Sequence, residues 1–314
     1  MWMIWVLLGV VGFVLLTALF CFAVTYYSPR RTEKGMKRSQ FPPGRVYKPY
    51  HPILRRWSAE TEAMDYTPME VTTPDGLTLR GRLYEYSSDA TLEILFHGYR
   101  GFSQRDMCGA VQRCFAVGHS VLLVDQRAAG RSDGHIITFG AKESRDVLLW
   151  IDAVTRRFGP HRPLMLGGVS MGATTVMLAA GQELPPHVVG VLADCGFTSA
   201  REIICKVIRQ LHLPAGLLYP FVRLGAVLFA GFDPDTIDTR GALTRCRVPV
   251  IFYHGDTDDF VPCEMSRENY ASCASPKELV IIPGAGHGLA FPADQEGYVE
   301  ALKRFEQTHI RATK

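Results

Sequence analysis

Residues 164–180 read LMLGGVSMGATTVMLAA, an apolar run that passes through a glycine-rich turn into a second apolar run. The first part, 164–167, predicts a buried strand, and Met171–Ala180 predicts a helix. Between them, the GxSxG pattern of residues 168–172 is typical of a tight strand-to-helix turn in which larger side chains would clash. A serine at such a turn lies at a helix N-terminus, beside backbone N–H groups that favour an anion. Ser170 is therefore a candidate nucleophile, and the alternative is a buried serine in a turn of small residues.

Strands and helices alternate on both sides of this stretch. The predicted strands are 69–73, 77–86, 91–96, 120–124, 164–167, 188–193, 248–253 and 279–282, and the first two form a hairpin. The predicted helices are 103–117, 139–158, 171–180, 199–211, 215–230 and 295–306. Apolar strands separated by helices indicate an α/β fold with a mostly parallel eight-stranded sheet covered by helices on both faces. In such sheets functional sites form at the carboxyl ends of the strands.

A second glycine-containing motif, HGYRG at 97–101, directly follows the strand predicted at 91–96. Acyl transfer through a serine needs two N–H donors for the oxyanion of the tetrahedral intermediate. One comes from the residue after the nucleophile and one from the loop after the third strand. Met171 and Tyr99 are the candidates for this oxyanion hole, and His97 then holds the loop. An ordinary glycine turn is the alternative.

A third motif, HGDTDDFVP at 254–262, follows the strand predicted at 248–253. A carboxylate here would orient a catalytic histidine and stabilise its imidazolium form. Asp256, Asp258 and Asp259 compete for that role. A group of acids in a solvated loop is the alternative interpretation.

The fourth motif, GAGHG at 284–288, follows the last predicted strand, 279–282. Histidine acts as a base and then as an acid near neutral pH, so His287 is the candidate base. Nucleophile, acid and base then occur in the chain order Ser, Asp, His, and each follows its own strand. Asp194, after the preceding strand, is a second candidate for the acid.

Together these passages resemble the α/β-hydrolase superfamily over residues 67 to about 309. The passages are HGYRG at 97–101, DQRAAGRSDG at 125–134, GVSMGA at 168–173, HGDTDDFVP at 254–262 and GAGHG at 284–288. The chain resembles in particular the bacterial membrane-anchored Bem46-like and serine-aminopeptidase-like hydrolases, whose HGxxDxxVP pattern puts the acid on Asp258. The resemblance implies an α/β-hydrolase fold, ester, thioester or amide substrates, a covalent acyl-enzyme, and no cofactor or metal. Ala128 stands where the family's DxRGxGxS loop usually has Gly.

The first 27 residues contain no Asp, Glu, Lys or Arg, with Trp2 and Trp5 near one end and Tyr26 and Tyr27 at the other. About 20 apolar residues match the hydrocarbon thickness of a bilayer, and aromatic residues suit its two interfaces. A cleaved signal peptide has a basic start, a shorter apolar run and a small-x-small site. The segment therefore predicts an uncleaved transmembrane anchor.

Basic residues follow this segment: Arg30, Arg31, Lys34, Lys37 and Arg38. Only the α-amino group precedes it, so the positive-inside rule places the catalytic part on the cytoplasmic side of the cell membrane. The seven cysteines beyond the segment have no CxxC spacing, which gives no zinc or redox motif and agrees with a reducing compartment.

The predicted organisation is a transmembrane anchor at 1–27, a basic, proline-rich juxtamembrane linker at 28–65 and an α/β-hydrolase domain at 66–314. An insertion at about 199–240 contains two helical stretches, and the second is strongly apolar. We interpret the insertion as a small helical cap over the active site, the alternative being that it simply packs on the core. A cap that lines the pocket would favour an apolar acyl group.

The composition, 47% hydrophobic and 21% charged, argues against disorder, and the net charge of +3 with no basic face argues against a nucleic-acid partner. The expected protein is a membrane-anchored serine hydrolase, carboxylesterase- or lipase-like, acting on an ester or thioester of a small-molecule or lipid-like acyl substrate. In it Ser170 attacks, His287 shuttles the proton and Asp258 orients His287. An aminopeptidase-type serine amidase and a non-catalytic membrane-tethered scaffold remain open.

Overall fold

A computed structural model describes residues 1–29, 36, 41–42 and 44–310. The basic residues on which the predicted membrane orientation depends lie outside the described residues; they are Arg30, Arg31, Lys34, Lys37 and Arg38.

Eight strands form one sheet. They are β1 Thr67–Thr72, β2 Thr78–Tyr84, β3 Leu92–Phe96, β4 Ser120–Asp125, β5 Leu164–Val169, β6 Val188–Asp194, β7 Val250–Gly255 and β8 Lys277–Ile282. Their order is β1-β2-β4-β3-β5-β6-β7-β8. Strand β2 pairs antiparallel with β1 and β4, and every other neighbouring pair is parallel. The predicted mostly parallel eight-stranded sheet is confirmed, with strand ends that differ by at most two residues.

Helices cover both faces of this sheet. The N-terminal half of the chain holds α1 Trp2–Thr25, α2 His51–Ala63, α3 Ser103–Asp106, α4 Ala110–Val117 and α5 Glu143–Phe158. The C-terminal half holds α6 Met171–Ala180, α7 Ala200–Gln210, α8 Ala215–Gly225, α9 Thr239–Leu243, α10 Cys263–Ser272, α11 Ala290–Ala293 and α12 Gln295–His309. A π-helical turn, Ala226–Ala230, follows α8. The helix predicted at 139–158 begins at Glu143 instead, because Phe139 and Gly140 have φ values of 54° and 105° that no helix accepts.

Alternate residues of the central strands pack on opposite faces of the sheet. Ile94 of β3 belongs to the core cluster that contains Trp150 of α5, whereas its neighbour Leu95 packs with Val111 of α4. Since both faces are covered, these strands are apolar at consecutive positions, as the sequence indicated.

The stretch interpreted as a linker contains a helix, α2, that packs on the domain. Pro52 stands in its first turn, where a missing N–H costs nothing. Trp57 of α2 is buried and stacks on Phe291, with 5.2 Å between the ring centroids. Residues before the sheet therefore contribute to the folded domain.

The last turns of α1 pack against the insertion. Ala18 and Cys21 are buried there. A Cβ at Gly225 of α8 would lie 2.5 Å from the Ala18 carbonyl oxygen, so the two helix backbones approach closely. Among the described helices, α1 is long and apolar enough to cross a membrane, with a mean hydropathy of 2.7 over 18 residues.

A buried ionic cluster lies between β3, α4 and α12. Arg113 donates to both carboxylate oxygens of Glu93, at 3.1 and 2.6 Å. His119 contacts Glu93 through Nδ1 at 2.8 Å and Glu306 through Nε2 at 3.3 Å. Burial alone would lower the pKa of His119, but its contacts with Glu306 and Glu93 outweigh burial and raise that pKa to about 9. His119 is therefore charged in the folded protein at neutral pH.

This cluster predicts a loss of stability in mild alkali. The pKa of His119 is about 9 when folded and about 6.5 when unfolded. Its stabilisation is therefore complete below about pH 6.5 and disappears as the pH rises through about 9. We expect His119→Gln, which does not titrate, to lose less stability than the native chain between about pH 6.5 and pH 9.5, by a few kcal/mol. Thermal unfolding in one detergent at both pH values tests this, and equal losses in both proteins would contradict it.

Candidate active site

Ser170 lies at the junction of β5 and α6, in a backbone conformation that L-residues rarely adopt. Its φ is 57° and its ψ is −120°. A Cβ at Gly168 would lie 2.2 Å from the carbonyl carbon of Gly172, and one at Gly172 would lie 1.9 Å from the carbonyl oxygen of Phe96. Both glycines are thus required by close backbone approach, as expected for the GxSxG turn.

Three of the predicted site residues form a continuous hydrogen-bonded series. Ser170 Oγ lies 2.9 Å from His287 Nε2, and His287 Nδ1 lies 2.7 Å from Asp258 Oδ2. With its proton on Nδ1, His287 donates to Asp258 and accepts from the Ser170 hydroxyl. This arrangement allows His287 to remove the hydroxyl proton as Ser170 attacks an electrophile.

The loop after β7 selects Asp258 among its three acids. Oδ1 of Asp258 accepts the backbone N–H groups of Phe260 and Val261, at 2.9 and 2.8 Å, which leaves Oδ2 for His287. Asp256 points elsewhere and accepts the N–H of Gly284 at 2.6 Å. The residues alone did not decide which of the three acids orients His287, and the choice of Asp258 came from the family pattern.

Hydrogen bonds keep the Asp258 carboxylate ionised. Burial by itself would raise its pKa, but hydrogen bonds from His254, His287 and the Val261 N–H outweigh burial and hold the pKa below the usual range. An ionised carboxylate at this position stabilises the imidazolium that forms on His287.

Asp194, the second candidate acid, ends β6 beside this series. Its Oδ2 accepts the Tyr298 hydroxyl at 3.2 Å, and burial raises its pKa to about 6. Asp258 is the carboxylate that contacts His287.

The loop at 97–101, which the sequence predicts to bind the oxyanion, lies against Ser170. A Cβ at Gly98 would lie 3.5 Å from the Ser170 Cβ. In the part of the chain that the structure describes, the backbone N–H groups of Tyr99 and Met171 have no hydrogen-bond acceptor. The Met171 N–H stands in the first turn of α6, where no intrahelical acceptor exists. Two donors are thus available beside the hydroxyl.

His97 holds this loop in place. Its Nε2 accepts the N–H of Gln126 at 3.1 Å, and its carbonyl accepts the Gln126 side-chain amide at 2.6 Å. His97 is buried, and its two ring nitrogens contact the Gln126 N–H and the Gly98 carbonyl.

The same loop makes contacts with α1 that sequence reasoning missed. The Tyr99 hydroxyl donates to the carbonyl of Thr25 at 2.7 Å. Arg100 donates to the carbonyls of Val24 and Tyr27, each at 2.9 Å. These contacts join positions more than seventy residues apart, so no local spacing pattern in the sequence predicts them.

A cavity of about 200 Å³ opens beside Ser170 and His287. Its apolar lining includes Phe41, Leu54, Phe260 and Leu289. None of the described residues of the insertion at 199–240 lines this cavity, so the predicted cap does not form its wall. The juxtamembrane segment takes that place, because Tyr47 also lines the cavity and donates its hydroxyl to the His287 carbonyl at 3.0 Å.

Cys195, Asp258 and His287 bring potential metal-ligand atoms within 4.8 Å of one another. Both ring nitrogens of His287 already have partners in Asp258 and Ser170. Burial raises the pKa of the Cys195 thiol well above its usual value, so the thiol stays protonated and is a poor ligand. The donor set fits proton transfer better than metal binding.

Two protein-family models match the chain. One, described as the alpha/beta hydrolase fold, matches residues 94–235, and the other, described as a serine hydrolase, matches residues 198–296. The matched stretches contain Ser170 in the first case and both Asp258 and His287 in the second.

Known proteins similar to the chain come from organisms that are distant from one another. The uncharacterized protein YqkD of Bacillus subtilis is 26% identical over 191 residues, which cover 60% of this chain and 62% of YqkD, less than two thirds of its length. The thiohydrolase aneE of Aspergillus aculeatus is 29% identical over 302 residues, covering 79% of this chain and 95% of that protein. The Pyrococcus furiosus esterase Pf2001 has a TM-score of 0.66 and 21% identity, covering 87% of this chain and 97% of the esterase. At that identity the likeness is one of fold.

The close approach at Gly172 predicts a steep cost for a single methyl group. We expect Gly172→Ala to lower the free energy of unfolding by about 1–3 kcal/mol and to displace Ser170, because the Phe96 backbone must move. Gly216→Ala is the matched control, since nothing lies within 4 Å of its Cβ position in α8. Thermal unfolding in detergent gives the comparison, and equal unfolding temperatures for both variants would contradict the prediction.

Proposed function

The chain belongs to the α/β-hydrolase superfamily, and we propose that it is a membrane-anchored serine hydrolase that cleaves a carboxylic ester or thioester of an apolar acyl substrate. The observation that carries this proposal is the hydrogen-bonded series from Ser170 through His287 to Asp258. The backbone N–H groups of Tyr99 and Met171, next to that series, have no acceptor among the described residues and are the proposed oxyanion-binding donors that acyl transfer needs.

The reaction has two halves. Ser170 Oγ attacks the carbonyl carbon while His287 Nε2 takes the hydroxyl proton, and the oxyanion of the tetrahedral intermediate accepts the N–H groups of Tyr99 and Met171. Each such donor lowers the barrier by about 3 kcal/mol. The intermediate expels the alcohol or thiol, which receives the proton from His287, and leaves an acyl-enzyme. Water, deprotonated by His287, then attacks the acyl-enzyme and releases the acid.

The cavity supports an apolar acyl group of limited length. Its volume of about 200 Å³ corresponds to about seven water molecules. Phe41, Leu54 and Leu289 offer the acyl chain apolar contacts. The two charged residues of the lining, Arg105 and Asp106, form an ion pair with each other.

The membrane anchor is part of the same proposal. Helix α1 has 24 residues and is about 36 Å long, more than the roughly 30 Å hydrocarbon core of a bilayer. Its first ten residues are exposed, although they are apolar, which suits lipid as their surroundings. The basic residues that follow α1 in the sequence support a cytoplasmic catalytic domain.

Active-site labelling tests the hydrolase proposal. We expect a fluorophosphonate probe to label the native chain and Ser88→Ala, which removes an exposed serine, but not Ser170→Ala. Asp258→Asn should reduce kcat by about 10⁴-fold, because His287 loses the partner that fixes its tautomer. Asp256→Asn alters an acid of the same loop and should retain most activity. Absence of labelling in folded native protein would overturn the proposal.

A series of nitrophenyl esters tests the acyl preference. We expect kcat/KM to rise from acetate to about hexanoate, since each added methylene gains about 0.8 kcal/mol when it is fully buried. A kcat/KM that falls steadily beyond acetate would overturn the apolar acyl substrate and leave the hydrolase proposal standing.

A further inference from the structure

The insertion presents an exposed apolar surface beside α1. We define it as the apolar face, formed by Leu211, Leu213, Leu217, Val227, Leu228 and Phe229. Leu217 and Leu228 are 64% and 51% exposed. We infer that the apolar face is a membrane-contact surface that lies against lipid hydrocarbon, an inference that rests on the proposed anchoring by α1.

The spacing of residues in α8 gives this helix two apolar sides. Tyr219 and Val222 are buried against the domain. On the opposite side of α8, Leu217 and Leu224 lie two helical turns apart, and that side has no charged residue. Leu228 follows in the π-helical turn. Apart from Arg223, α8 is apolar on all sides, and such a helix is typical of a buried core or of a bilayer and not of a water-exposed surface.

The sequence around α8 is also unusually poor in charge. The 22 residues from Leu211 to Phe232 contain no Asp or Glu and a single Arg. That residue, Arg223, points to Asp233 and Asp235, with 2.6 Å between Arg223 Nη2 and Asp233 Oδ2. Its charge is thus compensated at the edge of the apolar face.

The length of α1 sets the depth of the apolar face. The 16 residues from Trp2 to Thr17 rise about 24 Å, which is short of the roughly 30 Å hydrocarbon core. A hydrocarbon core that begins at Trp2 must then extend past Ala18 to about Cys21. At this level α8 meets α1, because a Cβ at Gly225 would lie 2.5 Å from the Ala18 oxygen and 3.2 Å from the Phe22 nitrogen.

The π-helical turn after α8 lies at the same depth. Phe229 packs on Phe22 of α1, with 5.5 Å between ring centroids. Its neighbour Leu228 is exposed. The apolar face therefore continues the lipid-facing surface of α1, and lipid is the occupant that this continuity favours over a second protein.

Photo-crosslinking of the full chain in vesicles tests this inference. The photoreactive residue p-benzoylphenylalanine replaces Leu228 in one variant, Phe20 of α1 in a second and Tyr86 in a third. Phe20 is 67% exposed on the proposed span, and Tyr86 is 54% exposed on the domain away from the apolar face. The vesicles contain phosphatidylcholine with an alkyne at the acyl terminus, and a fluorophore attached to that alkyne after irradiation reports lipid bound to the protein.

We expect lipid labelling at Leu228 to match that at Phe20 within about threefold and to exceed that at Tyr86 by about tenfold. Labelling at Phe20 with only background at Leu228 would overturn the inference and leave the anchor intact. A protein adduct at Leu228 in place of lipid, or equal labelling at Tyr86, would also overturn it. Absence of lipid at Phe20 would overturn the anchor and the inference together. Fluorophosphonate labelling of the same samples reports separately on the hydrolase proposal.

Discussion

The contact between Gly172 and the carbonyl of Phe96 is the constraint on which the site depends. It brings the start of α6 against the end of β3, and no side chain lies between the two backbones. Beside this contact Ser170 has a left-handed φ, and Gly98 of the loop after β3 lies against the Ser170 side chain. One close approach of backbone thus brings the candidate nucleophile and the candidate oxyanion donors together. The buried sheet around Ser170 compensates the energetic cost of this strained backbone conformation.

Much of the fold and of the candidate site was predictable because each signal is local to a strand end. Every predicted strand is present, and the α/β-hydrolase resemblance is confirmed. Ser170, Asp258 and His287 each follow a different strand, and the parallel sheet brings those ends to one edge. Their catalytic roles remain a prediction. Ala128, noted for standing where a Gly is usual, has a φ of 58°, so an alanine occupies the left-handed conformation at a cost of about 1 kcal/mol.

What the sequence did not reveal depends on contacts between distant segments. Helix α2 was not predicted, because its mixed polar composition beside several prolines is typical of a linker. The insertion was expected at the pocket because it is apolar, yet its buried apolar side chains pack on α1 and on the domain, and several of its other apolar side chains are exposed. Apolar patterning predicts that a surface is covered, but it does not identify the covering segment.

The hydrogen bonds from Tyr99 and Arg100 to the end of α1 matter for how the protein is prepared. A shortened chain that begins at Ser28, as is common practice for gaining solubility, would lose the carbonyls of Val24, Thr25 and Tyr27. The loop that carries the Tyr99 N–H would then lose three of its attachments. Activity measured on such a fragment would describe a candidate site with a loosened loop, whereas a chain that includes α1 keeps these three hydrogen bonds.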